Sequence, residues 1–319
     1  MKGFFCEEND RVRFLGFIAA VLTLLLGVFN AILNILFFEE KLYMYQRGSE
    51  GAWTVYYVLC TLAVAFFAVI YIVNKRKSSD LIISVSLNDN EGTPFRLLRL
   101  IAGVIFAVGA VMRVVFFFTE KRDSGLPEVV TVYMLAGFLV LAYYFFNELN
   151  RQSVRGLLAV CGMIGVVAYI VDTLEIYSDM NIPIASEYRL FSAVCSVLFM
   201  LALVSELRMR LAEPTSYGYL AMISIASVVG GSTCIGRAVS VIDGKAVSGT
   251  ELARTVCGLG VTVYLLSRLL CIILPRYLEN CGGIPFEPHA PENEKEAISD
   301  CGDVPQKELQ PINSEEENS

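Results

Sequence analysis

Histidine is almost missing from this chain of 319 residues, which contains a single one, His289, near its C-terminus. A histidine-ligated metal centre within the apolar part of the chain is therefore excluded. The nine cysteines include no Cys-x-x-Cys pair, so the sequence supports neither a zinc site nor a dithiol motif. We expect the protein to carry no metal and no cofactor.

Catalytic signatures are missing as well. The sequence contains no P-loop, no HExxH and no GxSxG motif, and the pair Gly230-Gly231 is not followed by the Lys-Ser/Thr of a phosphate loop. No histidine is available as a general base in the apolar region. We therefore expect no enzymatic activity, and we expect no nucleic-acid partner.

Hydrophobic residues, in contrast, make up 55% of the chain, and the mean hydropathy is +0.58. Soluble domains contain about 45–50% apolar residues. Eight hydrophobic stretches follow one another, most of them near the ~20 residues that cross about 30 Å of hydrocarbon. They cover residues 14–38, 53–73, 98–118, 129–146, 154–171, 190–204, 219–241 and 252–274.

This pattern predicts an all-α, polytopic transmembrane bundle in contact with the lipid bilayer, because a helix satisfies its own backbone hydrogen bonds in lipid. Three polar or weakly apolar residues, Ser192, Cys195 and Ser196, dilute the sixth stretch, so a seven-span count stays open. The first stretch is too long for the apolar region of a signal peptide and lacks a convincing cleavage site, so we expect it to be a retained helix.

The spans divide the chain into three parts. Residues 1–13 form a cytoplasmic N-terminal segment, residues 14–275 the transmembrane domain, and residues 276–319 an acidic tail. The tail is rich in Glu, Asn and Pro and lacks apolar periodicity, so we expect it to be disordered. It either docks a protein partner or only keeps the chain soluble.

Positive residues predict the orientation. They concentrate in the loop 74–96, which contains Lys75, Arg76 and Lys77, and both termini are then cytoplasmic. Because no loop is long or rich in glycosylation signals, we expect a bacterial plasma membrane. Within the same loop, residues 81–87 form either a short strand or an interfacial segment.

The ends of the spans indicate an internal repeat. Each even-numbered span ends with two bulky apolar residues, a small polar residue and a charge, and each odd-numbered span carries a polar residue in its second half. Similar spacing of both sets predicts one helical hairpin used four times, giving four antiparallel hairpins. Chance is the alternative, because membrane helices often end in polar residues. The two sets are Asn74, Asn147, Ser205 and Ser267, and Asn30, Arg113, Asp172 and Arg237.

Charges inside spans single out the candidate site. Each costs roughly 2.5–3.5 kcal/mol to insert, and such residues normally face the bundle interior. Arg113 and Arg237 either extend to the headgroups or face inward, and Asp172 either begins a loop or joins them. If they converge, one arginine pairs with Asp172, and the surplus arginine leaves a net positive spot suited to an anion or carboxylate ligand.

Two further sets of polar residues are candidate ligand contacts. Asn30 and Asn34 share one face of the first span, where they serve either helix–helix hydrogen bonds or a ligand. Ser232 and Thr233 lie in the seventh span, which is rich in small residues. This span is either a broken helix that lines a cavity or a helix that packs closely on its neighbours.

Carboxylates at the predicted cytoplasmic ends of spans receive a local explanation. Glu148 and Glu206 are expected to pair with Arg151 and Arg210 on their own helices. The leading hypothesis for function is therefore small-molecule binding or transport at the intramembrane cluster. The alternative is a non-catalytic membrane sensor or scaffold subunit that uses its tail and its basic loop.

Overall fold

The computed structural model describes residues 2–39, 44–45, 48–74, 93–119, 126–147, 155–179, 187–211, 216–244 and 248–273. Its helices are α1 (Lys2–Phe37), α2 (Glu50–Asn74), α3 (Thr93–Thr119), α4 (Glu128–Asn147), α5 (Arg155–Ser178), α6 (Glu187–Leu211), α7 (Ser216–Ile225), α8 (Ser232–Ile242) and α9 (Gly249–Ile273). A π-helical segment, Ala226–Gly231, joins α7 to α8. Two short antiparallel strands, β1 (Phe38–Glu39) and β2 (Met44–Tyr45), follow α1.

Eight helices within the described ranges are long and apolar enough to cross a membrane, counting α7, the π segment and α8 as one span. The predicted all-α, polytopic bundle of eight spans is confirmed. The sixth span is a helix of 21 residues, Tyr188–Arg208, so its serines do not interrupt it. A helix tolerates serine here because the hydroxyl bonds to its own backbone, as Ser192 does to Tyr188 O at 2.9 Å.

Several helices are longer than their hydrophobic stretches. The fifth span continues from residue 171 to Ser178, so the interpretation of Asp172 as the start of a loop is wrong. The first helix begins at Lys2, twelve residues before the predicted span. A span predicted from hydropathy ends at the first polar residue. The backbone hydrogen bonds of the helix continue past that residue when its side chain finds a partner.

The seventh span lies at the centre of the bundle. In its most apolar stretch of 18 residues, 78% of the residues are buried inside the protein. The corresponding share in the second span is 22%, so that span exposes the largest share of its residues. The π segment is fully buried, and Ser227 within it exchanges a hydrogen bond of 3.0 Å with Thr23 of α1. A side chain on Gly231 would come within 2.9 Å of Thr262. The span is therefore a continuous helix, locally widened, that packs closely on its neighbours through small residues, and two of its residues, Cys234 and Arg237, also line a cavity.

The most extensive helix contacts join α3 to α9 and α1 to α8, which are distant in sequence. The approach of α3 to α9 depends on two glycines. A Cβ atom on Gly109 would lie 2.6 Å from the backbone nitrogen of Cys257, and one on Gly260 would lie 2.7 Å from that of Phe106. The spans thus form one interlocked bundle within the compact unit Met1–Pro275.

Several predictions concern residues outside the described part of the chain. They are the interfacial or strand segment 81–87, the pairing of Glu148 with Arg151, and the tail 276–319. The side chain of Arg210 also falls outside it.

Candidate functional site

Arg113 and Asp172 form a buried ion pair between α3 and α5. Arg113 Nη2 donates to Asp172 Oδ1 and lies 3.7 Å from Glu175 Oε2, one turn further along α5. Arg113 is 3% exposed and Asp172 is 2% exposed. The predicted pairing of an arginine with Asp172 is confirmed, and Arg113 does not extend to the headgroups.

A second arginine, Arg254 near the start of α9, joins the same carboxylates. Its Nε lies 3.2 Å from Asp172 Oδ1 and its Nη2 lies 3.3 Å from Glu175 Oε2, while Nη1 pairs with Glu251 on its own helix. We name Arg113, Asp172, Glu175, Glu251 and Arg254 the central cluster. Arg113 and Asp172 lie near the C-terminal ends of α3 and α5, which are the third and fifth spans, whereas Arg254 lies near the N-terminal end of α9, the eighth span. The third and fifth spans therefore run in the opposite direction to the eighth.

Arg237, on α8, lies beside the central cluster. It donates from Nη1 to Ser192 Oγ at 2.7 Å and from Nη2 to Tyr188 O at 2.9 Å. Its guanidinium stacks 3.9 Å above the Tyr188 ring, and the Tyr188 hydroxyl donates to Glu251 Oε2 at 3.0 Å. Tyr188 therefore connects Arg237 to the cluster by a cation–π contact and a hydrogen bond.

Several of these side chains line a small cavity of about 30 Å³. Among the described residues, its wall includes Arg113, Asp172, Arg237 and Arg254, so the three charges singled out from the sequence meet at one place. By the same measure a water molecule needs about 10–15 Å³. The cavity therefore has room for two or three water molecules or a solute of similar size.

The apolar part of the wall comes from two rings, Phe138 and Phe199, and three thiols. The thiols are free and buried, and they come from three different spans: Cys195, Cys234 and Cys257. Within the described ranges, no group of three His, Cys, Asp or Glu side chains is placed to hold a metal ion.

The charge of the site includes residues that the sequence did not single out. Arg113, Asp172 and Arg237 together carry one surplus positive charge, as expected. The central cluster contains two arginines and three carboxylates, so with Arg237 the formal total of the whole group is zero. Two carboxylates, Glu175 and Glu251, were not expected inside the bundle because each lies near the polar end of a span.

Helical spacing is the signal that could have found the missed residues. Glu175 lies three residues after Asp172, and Arg254 lies three residues after Glu251. Residues three apart share one helix face, so each pair extends a buried charged face by one turn. Ser192 and Ser196 are four residues apart and share a helix face in the same way. Ser192 accepts a hydrogen bond from Arg237, and Ser196 donates one to Asp172.

The two asparagines of α1 lie near the site but not in the main cavity. Asn34 Nδ2 donates to Asn30 Oδ1 and, at 2.9 Å, to Asn30 O. Asn34 also lines a second cavity of about 10 Å³ together with Arg237 and Glu251. Asn30 packs against Gly236, where any side chain would collide with it.

Ser232 and Thr233 serve helix–helix hydrogen bonding. Their hydroxyls lie 2.9 Å and 3.2 Å from the hydroxyl of Tyr56 on α2, and neither residue lines the two cavities. Tyr56 is completely buried, and its ring hydroxyl needs a partner in such a place. These contacts attach the peripheral second span to the central seventh one.

A second buried ion pair lies toward the opposite end of the bundle. Arg268 Nη2 on α9 contacts Glu206 Oε1 on α6 at 2.5 Å, and the hydroxyl of Tyr219 donates to Glu206 Oε2 at 2.6 Å. Arg268 also donates to the hydroxyl of Tyr264 from Nη2 at 3.0 Å. We name these four residues the distal cluster.

The contact of Glu206 with Arg268 was not expected from the sequence, and the predicted pairing of Glu206 with Arg210 concerns a side chain outside the described residues. Glu206 is 4% exposed, and the cation that it meets belongs to another span. The charge of Arg268 was visible in the sequence, but its contact depends on how α6 and α9 are rotated in the bundle.

Comparison of the chain with family models, curated proteins and solved structures finds no match.

Proposed function

We propose that this integral membrane protein binds a small polar solute in the cavity between Arg113, Asp172 and Arg237 and transports it across the membrane. The observation that carries the proposal is the convergence of these residues, which come from three different spans, on one buried cavity. Burying charge in a membrane is costly, and ionisable residues there normally mark a substrate or ion pathway.

The depth of the cavity supports transport in addition to binding. Its lining includes Phe199 of α6 and Gly258 of α9, while the distal cluster begins at Glu206 and Arg268 on the same helices. At a rise of 1.5 Å per residue, these distances along the helices are about 10 Å and about 15 Å. The cavity thus lies between two buried charge clusters, which suits a site reached alternately from either side.

The seventh span supplies a place where such a movement could occur. Its π segment lies between Tyr219 of the distal cluster and Arg237 beside the cavity. Segments of π-helix are rare and concentrate at functional sites, because the widened turn weakens the regular backbone ladder. We propose that the two halves of the span, α7 and α8, move separately when a solute enters or leaves.

We also propose which membrane holds the protein and how the chain is oriented in it. The positive residues of the loop after Asn74 support a plasma-membrane protein with cytoplasmic termini. The central cluster then lies toward the outer leaflet and the distal cluster toward the cytoplasm. A bacterial source remains part of the same proposal.

The test is a thermal-stability screen of purified protein against small solutes of each charge class, followed by flux measurements in proteoliposomes. We expect one class to raise the melting temperature of the wild type, and the Arg237→Gln variant to lose that rise together with flux. Arg208→Gln is the matched control, because Arg208 is exposed at the far end of α6. Stabilisation that is equal in wild type and Arg237→Gln, or no stabilisation by any solute, would overturn the proposal.

A further inference from the structure

The carboxylate that lines the cavity, Asp172, has both of its oxygens engaged. Asp172 Oδ1 accepts from Arg113 and Arg254, and Asp172 Oδ2 accepts from the hydroxyl of Ser196 at 2.9 Å. The two carboxylate oxygens of Glu251 accept from Arg254 and from Tyr188. A carboxylate whose oxygens are all engaged offers little to a ligand that donates hydrogen bonds or carries positive charge.

The donors around the cavity are occupied only in part. Arg254 uses each of its three nitrogens on a carboxylate. Arg113 makes its polar contacts through Nη2, and its Nε and Nη1 have no hydrogen bond to any residue that the structure describes. Of Arg113 and Arg254, only Arg113 therefore has nitrogens, Nε and Nη1, that are still able to donate hydrogen bonds.

Tyr169 supplies a second unused donor. Its side chain is 4% exposed and lines the cavity, and its hydroxyl has no hydrogen-bond partner within the described ranges. A buried hydroxyl without a partner costs about 1–3 kcal/mol. A built site with two unused donors therefore calls for an occupant that accepts hydrogen bonds.

The charge of the wall favours an anion over a neutral acceptor. Of the described residues that line the cavity, three are arginines and one, Asp172, is a carboxylate. Glu175 and Glu251 contribute to the cluster but do not line this cavity; both engage Arg254. A cation in the cavity would lie against Arg113 and Arg237, which repel it.

Size and total charge limit the anion further. About 30 Å³ admits a halide or an ion of three or four heavy atoms, since one water needs about 10–15 Å³. The central cluster with Arg237 is formally neutral, so a divalent anion would leave two uncompensated charges in a medium of low dielectric. The rings of Phe138 and Phe199 and the three thiols suit an ion that gives up its water easily.

We propose that the solute is a small monovalent anion, held by Nε and Nη1 of Arg113 and by the hydroxyl of Tyr169. This inference rests on the proposed function, because it names the chemical class of the solute in that same cavity. It assigns Arg254 to holding the carboxylates in place rather than to contact with the anion.

Tyr169→Phe is the sharpest test, because it removes only an unpartnered hydroxyl. In a buffer of bulky gluconate, the variant should melt at the wild-type temperature or slightly above it. Its affinity for nitrate, formate or chloride should fall by about ten- to a hundredfold, the loss expected for one hydrogen bond to a charged group. Affinity is measured by calorimetry and by thermal shift at constant ionic strength.

Ser224→Ala is the matched control for this variant. Ser224 also carries a buried hydroxyl without a hydrogen-bond partner among the described residues, and it lines neither cavity. We expect it to match the wild type in both stability and anion affinity. A fall in affinity equal to that of Tyr169→Phe would show that the effect is not local and would overturn the inference.

Arg113→Lys tests the other donor. A lysine ammonium preserves a positive charge for Asp172 but has no group equivalent to Nε or Nη1. We expect insertion and folding to survive while anion affinity falls at least as far as in Tyr169→Phe. Wild-type affinity in Arg113→Lys would exclude these two nitrogens as ligands.

Formamide separates this inference from the proposed function, because it has the shape of formate without the charge. If formamide stabilises the protein as strongly as formate does, the cavity binds solutes and the anion assignment is wrong. If no anion, cation or neutral solute stabilises the protein, the proposed function fails as well. Stabilisation by formate and nitrate but not by formamide is the expected result.

Discussion

Glu206 and Arg268 lie 2.5 Å apart between α6 and α9, and each directly follows a serine, Ser205 or Ser267. The two residues occupy equivalent places in the hairpin repeat proposed from the sequence. The pair therefore joins two even-numbered spans through the feature that made them look alike. The corresponding charges of the second and fourth spans, Lys75 and Glu148, lie outside the described residues.

Removing the charge of Glu206 should destabilise the bundle. Glu206→Gln leaves Arg268 buried without its carboxylate, and breaking such a pair costs about 3–5 kcal/mol. The measurement is unfolding of the purified protein in a mixed-micelle denaturant series. Glu50→Gln, at an exposed position, is the control and should have no measurable effect.

A second substitution makes the Glu206 prediction specific. In Glu206→Gln combined with Arg268→Met, no charge remains buried at this point, so much of the lost stability should return. If the double variant is as unstable as the sum of the single variants, the two residues are not energetically coupled and the prediction is wrong.

The π segment should not tolerate a larger residue at Gly231. Gly231→Val places a Cβ atom within 2.9 Å of Thr262 and 3.2 Å of Thr23, so α1 and α9 would have to move apart. Overpacking of this kind costs about 1–3 kcal/mol. Gly51→Val is the control, since nothing lies within 4 Å of a side chain there. Equal melting temperatures for the two variants would contradict the packing described for the seventh span.

Reporter fusions should establish the orientation. A reporter active only in the cytoplasm should function when fused after Asn74 or at the C-terminus. A reporter active only outside should function when inserted near Gly48, between the first and second spans, or near Gly244, between the seventh and eighth. The reverse pattern would place the central cluster on the cytoplasmic side and contradict the orientation inferred from positive residues.

Truncation of the tail separates the two functional hypotheses. If the protein is a transporter, removal of residues 276–319 should leave solute-dependent stabilisation and flux unchanged. If it is a sensor or scaffold subunit, the truncation should release a co-purifying partner, while Arg237→Gln should leave that partner bound. Loss of solute binding on truncation would mean that the tail contributes to the site.

Part of the candidate site could be predicted from single residues. Arg113, Asp172 and Arg237 each stand out because a charge within an apolar run is costly and faces the bundle interior. The sequence also predicted that an arginine would pair with Asp172, and Arg113 does so. The roles proposed for these residues in binding a ligand stay predictions, as does the hairpin repeat.

The remaining members of the site could not be predicted in the same way. Glu175, Glu251 and Arg254 lie near the polar ends of spans, where a charge normally reaches water or headgroups. Glu175 and Glu251 are buried and Arg254 is half-buried, because the helices extend beyond their apolar runs and because α3 packs closely against α9. The contacts of Ser232 and Thr233 with Tyr56 were not expected either, and their role as ligand contacts stays a prediction.

The sequence by itself determined the class of the protein, because each apolar run of membrane length must close its backbone hydrogen bonds within a helix. The structure decided between seven and eight spans, since the sixth stretch is one continuous helix. The sequence could not determine which charges meet, since hydropathy is read along one helix at a time. The rotation of each helix about its axis, and the helices that it contacts, are decided by packing between helices. Here glycines at close contacts, such as Gly109 and Gly260, contribute to that packing. Only the tertiary structure therefore showed that Arg113, Asp172 and Arg237 share one cavity and that Glu175, Glu251 and Arg254 bring the formal charge of the group to zero.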